Sequence, residues 1–252
     1  MGSRKAVNNE GRMTRVILVD DHPIVRQGLG LLLASESDMM VCAEAETPAE
    51  ALAAIEAHKP DVAVVDLTLR DGLGLELIKD IRVRFPKLLS MVYSMRDESF
   101  YAERVLRAGA RGYVTKEEGG KTVIDGIRKI LTGQIFLSEK MASKMIGQFV
   151  GGPMQSPRDS ISTLTDREME VFELIGQGLP TREIAKRLHL SPKTVDSHRE
   201  HIKEKLKIDN ATDLLKHAIE WANFPNSPSR NGSRRESENG FRASRKKPEA
   251  KP

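Results

Sequence analysis

Between residues 15 and about 131 the chain alternates short β-branched runs with longer stretches of helical spacing, a rhythm that restricts it to a parallel sheet covered by helices. The strand candidates are VILV at 16–19, MVCAEA at 40–45, VAVVD at 62–66, LLSMVYS at 88–94 and GYVT at 112–115. Helices are expected over 24–34, 48–57, 73–85, 98–108 and 120–131, which gives a five-stranded, doubly wound parallel α/β domain. Pro23 suits a first helical turn, Thr47 can cap the helix beginning at Pro48, and Ala108-Gly109 suits a helix stop. The third run is almost continuously apolar, as a central strand buried on both faces should be.

The rest of the chain changes character. One more helix fits 138–149, and GGPMQSPRDS at 151–160 reads as a flexible linker. Residues 164–224 carry only helical signals. Thr165 with Glu168 forms a capping box ahead of the apolar Met169, Val171, Phe172, Leu174 and Ile175. A short helix fits 181–190, a third starts at Ser191-Pro192, and a fourth covers roughly 211–222, making a small all-α four-helix domain. From residue 225 onward too few apolar residues remain to offset the entropy of ordering. That tail holds eight basic and three acidic residues, so the folded part of a chain with net charge +4 is close to neutral. It should stay disordered and attract polyanions, a purely solubilising role being the alternative. The expected division is a first domain at 14–133, a connecting helix and linker at 134–163, the helical domain at 164–224 and the basic tail at 225–252.

The single cysteine, Cys42, excludes an intramolecular disulfide framework or a cysteine cluster for zinc, and fits a reducing compartment. No apolar run reaches membrane-spanning length, and the first, at 16–19, is too short for the core of a secretory signal. The expectation is a cytoplasmic protein that does not enter a membrane. His189, His198, His201 and His217 make no metal-ligand spacing with any cysteine, and with His22 and His58 they read as ordinary surface or cap residues.

In an open parallel sheet, chemistry gathers at the carboxyl ends of the strands. Asp20 and Asp21 follow the first strand, Asp66 ends the third, Ser94 ends the fourth and Lys116 follows the fifth. Each alone could be a solvated strand-end group or a helix cap; five at corresponding ends argue against coincidence. Three carboxylates held close repel one another and need a cation. Magnesium suits them, because it is hard, octahedral and keeps waters while accepting a few carboxylates and a phosphate. A lysine and a hydroxyl facing the same point would hold phosphoryl oxygens and leave one aspartate as nucleophile.

The segments that carry these residues are VDDHPIVRQGL, VVDLTLRDGLGLELI, VYSM and ARGYVTK, and over residues 14–133 the chain resembles the receiver domain of bacterial two-component response regulators. The resemblance implies a flavodoxin-like sheet and assigns Asp66 as the acceptor of a phosphoryl group from a partner histidine kinase. It makes Asp21 a direct Mg2+ ligand, Asp20 a ligand through water, Asp66 itself a ligand, and Thr68 a donor of its backbone carbonyl. Ser94 and Lys116 become the groups that grip the phosphoryl oxygens, and Tyr113 the aromatic that moves inward after phosphorylation. An ordinary core residue of the fifth strand is the alternative for Tyr113. The chain departs from the common receiver pattern twice: Arg70 and Glu117 stand where many receivers have proline. The first alters the loop beside Asp66; the second removes any expectation of a cis peptide bond there.

The helices at 181–190 and 191–207 have the proportions of a helix-turn-helix, although any small bundle contains helix pairs. The segment LTDREMEVFELIGQGLPTREIAKRLHLSPKTVDSHREHIKEKLKI is similar to the four-helix LuxR-type DNA-binding domain, and with the receiver in front the chain resembles a NarL/FixJ-type response regulator. Steps of 100° put Val195, Ile202 and Leu206 on the core face of the second helix. Lys193, Asp196, Ser197, Glu200, His201 and Glu204 fall on the opposite face. The DNA-binding residues expected are Lys193, Thr194, Asp196, Ser197, Arg199, Glu200, Lys203 and Lys205. Asp196, Ser197 and Glu200 lie where the family makes base contacts, and the basic residues are the phosphate contacts, Lys203 alternatively solvating its own face. Ten basic and eleven acidic residues over 160–224 predict modest affinity per monomer, which a homodimer on paired half-sites of double-stranded DNA would raise.

Three rival functions fit less well. A haloacid-dehalogenase-type phosphatase needs Asp-x-Asp, and here Asp66 is followed by Leu67 and Thr68. A degenerate receiver acting as a scaffold would not keep Asp20, Asp21, Asp66, Ser94 and Lys116 together. A LuxR-type sensor of a diffusible ligand needs an enclosed apolar pocket, which strand-end charges do not make. The expected function is therefore a regulator and not an enzyme: a transcription factor switched by phosphorylation.

Overall fold

The computed structural model describes residues 12–151, 161 and 163–223. All of the expected 151–160 linker except Gly151, and the basic tail, lie outside the described residues. Strands β1 (Thr14–Val19), β2 (Met39–Ala45), β3 (Val62–Val65), β6 (Leu89–Ser94) and β7 (Gly112–Thr115) form one parallel sheet in the order β2-β1-β3-β6-β7. Between and after them run α1 (Pro23–Ala34), α2 (Pro48–His58), α3 (Gly74–Arg84), α4 (Glu98–Ala108) and α5 (Gly120–Leu131).

Two-residue periodicity splits the core into two layers. Val16 and Leu18 of β1, with Val62 and Val64 of β3, join Leu29 and Leu33 of α1 and Val123, Ile127 and Ile130 of α5. Ile17, Val19, Ala63 and Val65 face the other way, toward Ile55 of α2, Ile78 and Ile81 of α3 and Val105 of α4. Each fully buried aliphatic side chain of this kind contributes about 1.5–3 kcal/mol. The central strand is buried along its whole length, because helices cover both faces.

The helix signals act as the sequence predicts at Thr47, whose side chain accepts the Glu50 amide, and at Pro23 and Gly109. Two departures have local causes. Helix α3 ends at Arg84, one residue early, because Phe85 precedes Pro86 and takes a non-helical conformation (φ −131°, ψ 64°). A small antiparallel hairpin, β4 (Thr68–Leu69) with β5 (Gly72–Leu73), follows Asp66 and turns through Asp71 at φ +62°. Aspartate tolerates that left-handed conformation better than most residues. Gly74 is required by close approach: a Cβ there would lie 1.9 Å from the Asp66 carbonyl oxygen.

Helix α6 (Glu139–Gly151) begins against α4, where Ser138 bonds to Glu98 and Met141 is buried. Helices α7 (Asp166–Gly176), α8 (Thr181–Arg187), α9 (Pro192–Leu206) and α10 (Ala211–Asn223) form the helical bundle. The Thr165–Glu168 capping box opens α7. Phe172, Ile175, Ile184, Val195, Ile202, Leu214 and Trp221 fill the bundle interior. Helix α8 stops at Arg187, short of the expected 190, and the chain turns through His189 at φ +53° into the Ser191 cap of α9.

Candidate functional site

Asp66 leaves the end of β3 and is 4% exposed. Its Oδ1 accepts the Ser94 hydroxyl at 2.6 Å and the Thr68 amide at 3.3 Å. Its Oδ2 lies 2.6 Å from Lys116 Nζ, and the same ammonium reaches Asp20 Oδ2 at 2.6 Å. Burial works against charging Lys116, but the carboxylates of Asp66 and Asp20 outweigh it and hold its pKa above the usual lysine range. The lysine therefore sits as a fixed cation between two buried anions. Parallel strands place all three, since β1, β3 and β7 deliver their C-terminal residues to one edge of the sheet.

Asp20, Asp21, His22 and Asp66 offer ligand atoms that all lie within 4.8 Å of one another. Asp21 Oδ1 is shielded from solvent; His22 Nδ1 is 2.8 Å away, yet the oxygen accepts no hydrogen bond of acceptable geometry. An orphaned buried carboxylate oxygen beside two further carboxylates is a donor set for a hard, oxygen-seeking cation, and Mg2+, which keeps waters and needs few protein ligands, suits it. His22 is the exposed N-cap residue of α1, as the sequence reading allows, and its ring also lies against both Asp20 (3.2 Å) and Asp21, at the edge of this cluster. Thr68, the expected carbonyl donor, stands two residues beyond Asp66 in β4.

Tyr113 is 1% exposed, and its hydroxyl donates to the Arg96 carbonyl at 2.7 Å. Burial raises its pKa well above the usual tyrosine value. In this structure Ser94 reaches Asp66 and the Tyr113 ring lies inside. Sequence reasoning missed the next residue in the chain of contacts. The Arg96 guanidinium meets the carboxylate of Glu173, on α7, and the Tyr101 hydroxyl donates to the same carboxylate at 2.6 Å. Glu173 is 2% exposed, and nearby Asp166 pairs with Lys79 (2.9 Å) and Arg104 (3.0 Å). These pairings join residues 62–87 positions apart in sequence, and local pattern carries no signal for them.

On α9, Val195 and Ile202 are fully buried, while Lys193, Asp196, Ser197, Glu200, His201 and Glu204 are exposed, as the helical wheel predicts. Thr194 is engaged by the helix cap, its amide and hydroxyl both meeting Ser191 Oγ (3.0 and 2.7 Å). Ser197 donates to the Lys193 carbonyl at 3.1 Å, and Asp196 accepts from Thr181 at 3.3 Å. Lys203 pairs with Glu200 at 2.8 Å, and Lys205 reaches the buried Glu168 at 2.6 Å. Arg199 is half-buried at the edge of the core face.

Residues 16–128 match the response regulator receiver domain family and residues 162–218 the bacterial regulatory proteins of the luxR family. The oxygen regulatory protein NreC of Staphylococcus carnosus is 32% identical over 209 residues, covering 81% of this chain and 96% of that protein. Among solved structures, the RcsB response regulator of Salmonella typhimurium is similar over 83% of this chain and 98% of its own, at 25% identity and a TM-score of 0.63. RcsB from Salmonella enterica serovar Typhimurium bound to promoter P1flhDC in the presence of the phosphomimetic BeF3− is similar at 26% identity and a TM-score of 0.60, covering 82% of this chain and 98% of that one. A receiver domain followed by a LuxR-type helix-turn-helix defines the class. The chain belongs to the NarL/FixJ-type two-component response regulators, which are phosphorylation-dependent transcriptional regulators. The Asp20, Asp21, His22 and Asp66 cluster matches the Mg2+ site of receiver domains. No helix among the described residues is long and apolar enough to cross a membrane.

Proposed function

We propose that Asp66 takes a phosphoryl group from the phosphohistidine of a cognate histidine kinase, and that this controls how a homodimer presents α9 to double-stranded DNA. The observation that carries the reading is the pair of 2.6 Å contacts that set Lys116 on one Asp66 oxygen and Ser94 on the other. In the transfer, the P–N bond of the donor breaks as a P–O bond to Asp66 forms, and the electron pair returns to the imidazole. Lys116 and Ser94 then exchange a carboxylate partner for phosphoryl oxygens without moving far. Magnesium, held by Asp20, Asp21 and Asp66 with the Thr68 carbonyl, supplies charge neutralisation for those oxygens when bound.

Residues 14–133 act as the receiver and 164–224 as the output domain, with 134–163 between them. Ser94 is two residues from Arg96, so adjustment of this segment reaches Glu173 on α7 directly. Arg96 also accepts Tyr113 at its carbonyl, which ties β7 to the same step. Lys193, Asp196, Ser197 and Glu200 face the groove, and Thr194, Arg199, Lys203 and Lys205 act at its edges after their internal pairings rearrange. The structure of the RcsB relative bound to a promoter supports DNA as the target. The work is cytoplasmic, where operator DNA is found.

Mass measurement of the intact chain after treatment with Mg2+ and acetyl phosphate tests the acceptor. Wild type should gain one phosphoryl group and Asp66→Ala none; a gain that persists in Asp66→Ala removes the assignment.

A further inference from the structure

Arg70, one of the two positions where the chain departs from the common receiver pattern, is the end of a chain of charges that leads to the acidic site. Its guanidinium pairs with Glu46 Oε2 at 2.9 Å, and the other Glu46 oxygen accepts Arg26 Nη2 at 2.8 Å. Arg26 is 9% exposed, donates to Glu44 at 3.0 Å through Nε, and turns its remaining arm onto the Asp20 backbone carbonyl at 2.5 Å. The three guanidinium contacts come from one side chain on α1, and they reach β2, the segment after it and the loop that carries the metal carboxylates. Asp20 is also held by its amide, which donates to the Ala45 carbonyl at 3.1 Å. Glu46 itself is fixed from below, because its amide donates to the Glu50 carboxylate at 2.9 Å.

We infer that Arg26, Glu46 and Arg70 are positioning residues that fix the spacing between the Asp20–Asp21 loop and the Asp66 loop, and so set Mg2+ affinity and the rate of phosphoryl acceptance. Two loops on different strands must hold carboxylates within one coordination shell, and like charges push those loops apart. Hydrogen-bonded partners behind ligating carboxylates orient them, and removing such partners typically lowers metal affinity or activity about 10–100-fold. Glu46 acts one step further out: among the described residues it touches no ligating carboxylate but holds the buried Arg26, whose guanidinium takes the Asp20 backbone carbonyl. It sits between two cations, so that no charge is left uncompensated. Proline at position 70 would stiffen the loop but could not reach Glu46. In this chain an ionic tie takes over part of that task. Arg70 forms no contact with Asp66 itself among the described interactions, so its effect must pass through Glu46 and Arg26.

The inference rests on the acidic cluster being the Mg2+ and phosphoryl site, and the test separates the two. Calorimetric titration of the full chain with Mg2+ alone gives the dissociation constant, thermal unfolding without Mg2+ gives stability, and the initial rate with acetyl phosphate gives acceptance. Arg70→Ala and Glu46→Gln should each weaken Mg2+ binding by a few-fold, less than the roughly tenfold typical of a direct partner of a metal ligand, and slow acceptance, with little change in the metal-free unfolding temperature. The double variant should be no worse than Glu46→Gln, and Arg70→Lys should restore most of the affinity. Mg2+ affinity equal to wild type in both single variants overturns the inference while leaving the site intact, and so does a loss that merely tracks unfolding temperature. Wild type that binds no Mg2+ overturns the site reading itself, and this inference with it.

Discussion

The phosphoryl-acceptor edge of the sheet and the exposed face of α9 both carry charge, but they hold it in opposite ways. At the sheet edge, Asp20, Asp66, Ser94 and Lys116 are buried or nearly so, and each short contact satisfies a partner that water cannot reach. On the outward face of α9, Lys193, Asp196, Ser197, Glu200, His201 and Glu204 are exposed, and the polar side chains that pair do so with neighbours on the protein surface or on α7. Burial turns charge into geometry: a buried carboxylate without its partner is costly, so the arrangement is narrow. Exposure leaves charge free to change partners, which a surface that must meet phosphates and base edges requires.

The strongest way to break this contrast is to remove the buried cation. Lys116→Ala leaves Asp20 and Asp66 facing each other with nothing between them, and loss of one partner from a buried ion pair costs about 3–5 kcal/mol. Urea unfolding should show that loss without Mg2+ and recover much of it with Mg2+, since the metal replaces the missing charge. Equal stability of the variant and wild type in metal-free buffer would mean that the ammonium is not what balances these carboxylates.

A second test leaves charge alone and disturbs only spacing. Gly74→Ala puts a methyl group against the Asp66 carbonyl, so the acceptor loop must shift. Forcing extra volume into a packed site costs about 1–3 kcal/mol. Unfolding should show a loss in that range, and acetyl phosphate should label the variant more slowly than wild type.

On the exposed side, Asp196→Ala should change which bases are preferred, a side-chain contact to a base being worth about 1–3 kcal/mol of discrimination, while Lys193→Ala should weaken binding to all sequences alike. Selection of sites from random DNA distinguishes the two. The same preferred sequence from wild type and Asp196→Ala would show that α9 lies otherwise in the groove.

The smallest effect belongs to Lys205, which joins the two kinds of charge. Burial alone would raise the pKa of Glu168, but the bond to Lys205 and those from Thr165 lower it below the usual carboxylate value. A carboxylate with a depressed folded pKa contributes stability above its unfolded value, roughly 4.3, and that contribution disappears as pH falls through the folded one. Lys205→Met should therefore be less stable than wild type at neutral pH, by under about 1 kcal/mol for a pair with one exposed partner. The gap should close in acid. A gap that persists below pH 3 would assign the effect to lost packing.

What the sequence discloses follows the same division. The five strands and their helices are legible because β-branched runs and 3.6-residue spacing are local, and the strand-end positions of Asp20, Asp66, Ser94 and Lys116 follow from them. The β4–β5 hairpin is not legible, since two-residue strands have no period to read. Neither are the Arg26–Glu46–Arg70 chain and the Arg96–Glu173 contact, where distant segments meet through long side chains. The contact of His22 with Asp20 and Asp21 is local in sequence, but position alone does not fix which way an exposed ring turns. Helix periodicity ranks the faces of α9 correctly but is silent on Lys203 and Lys205, whose flexible stems reach carboxylates it does not see.

Chemistry at Asp66 should govern what α9 does on DNA. Binding to genomic DNA fragments, measured by gel shift with wild type and Asp66→Ala, each with Mg2+ and with or without acetyl phosphate, tests it most directly. Acetyl phosphate should change the affinity of wild type for a subset of fragments and leave Asp66→Ala unchanged on all of them. An equal response in both proteins, or no response in wild type that mass measurement shows to be phosphorylated, would contradict the account.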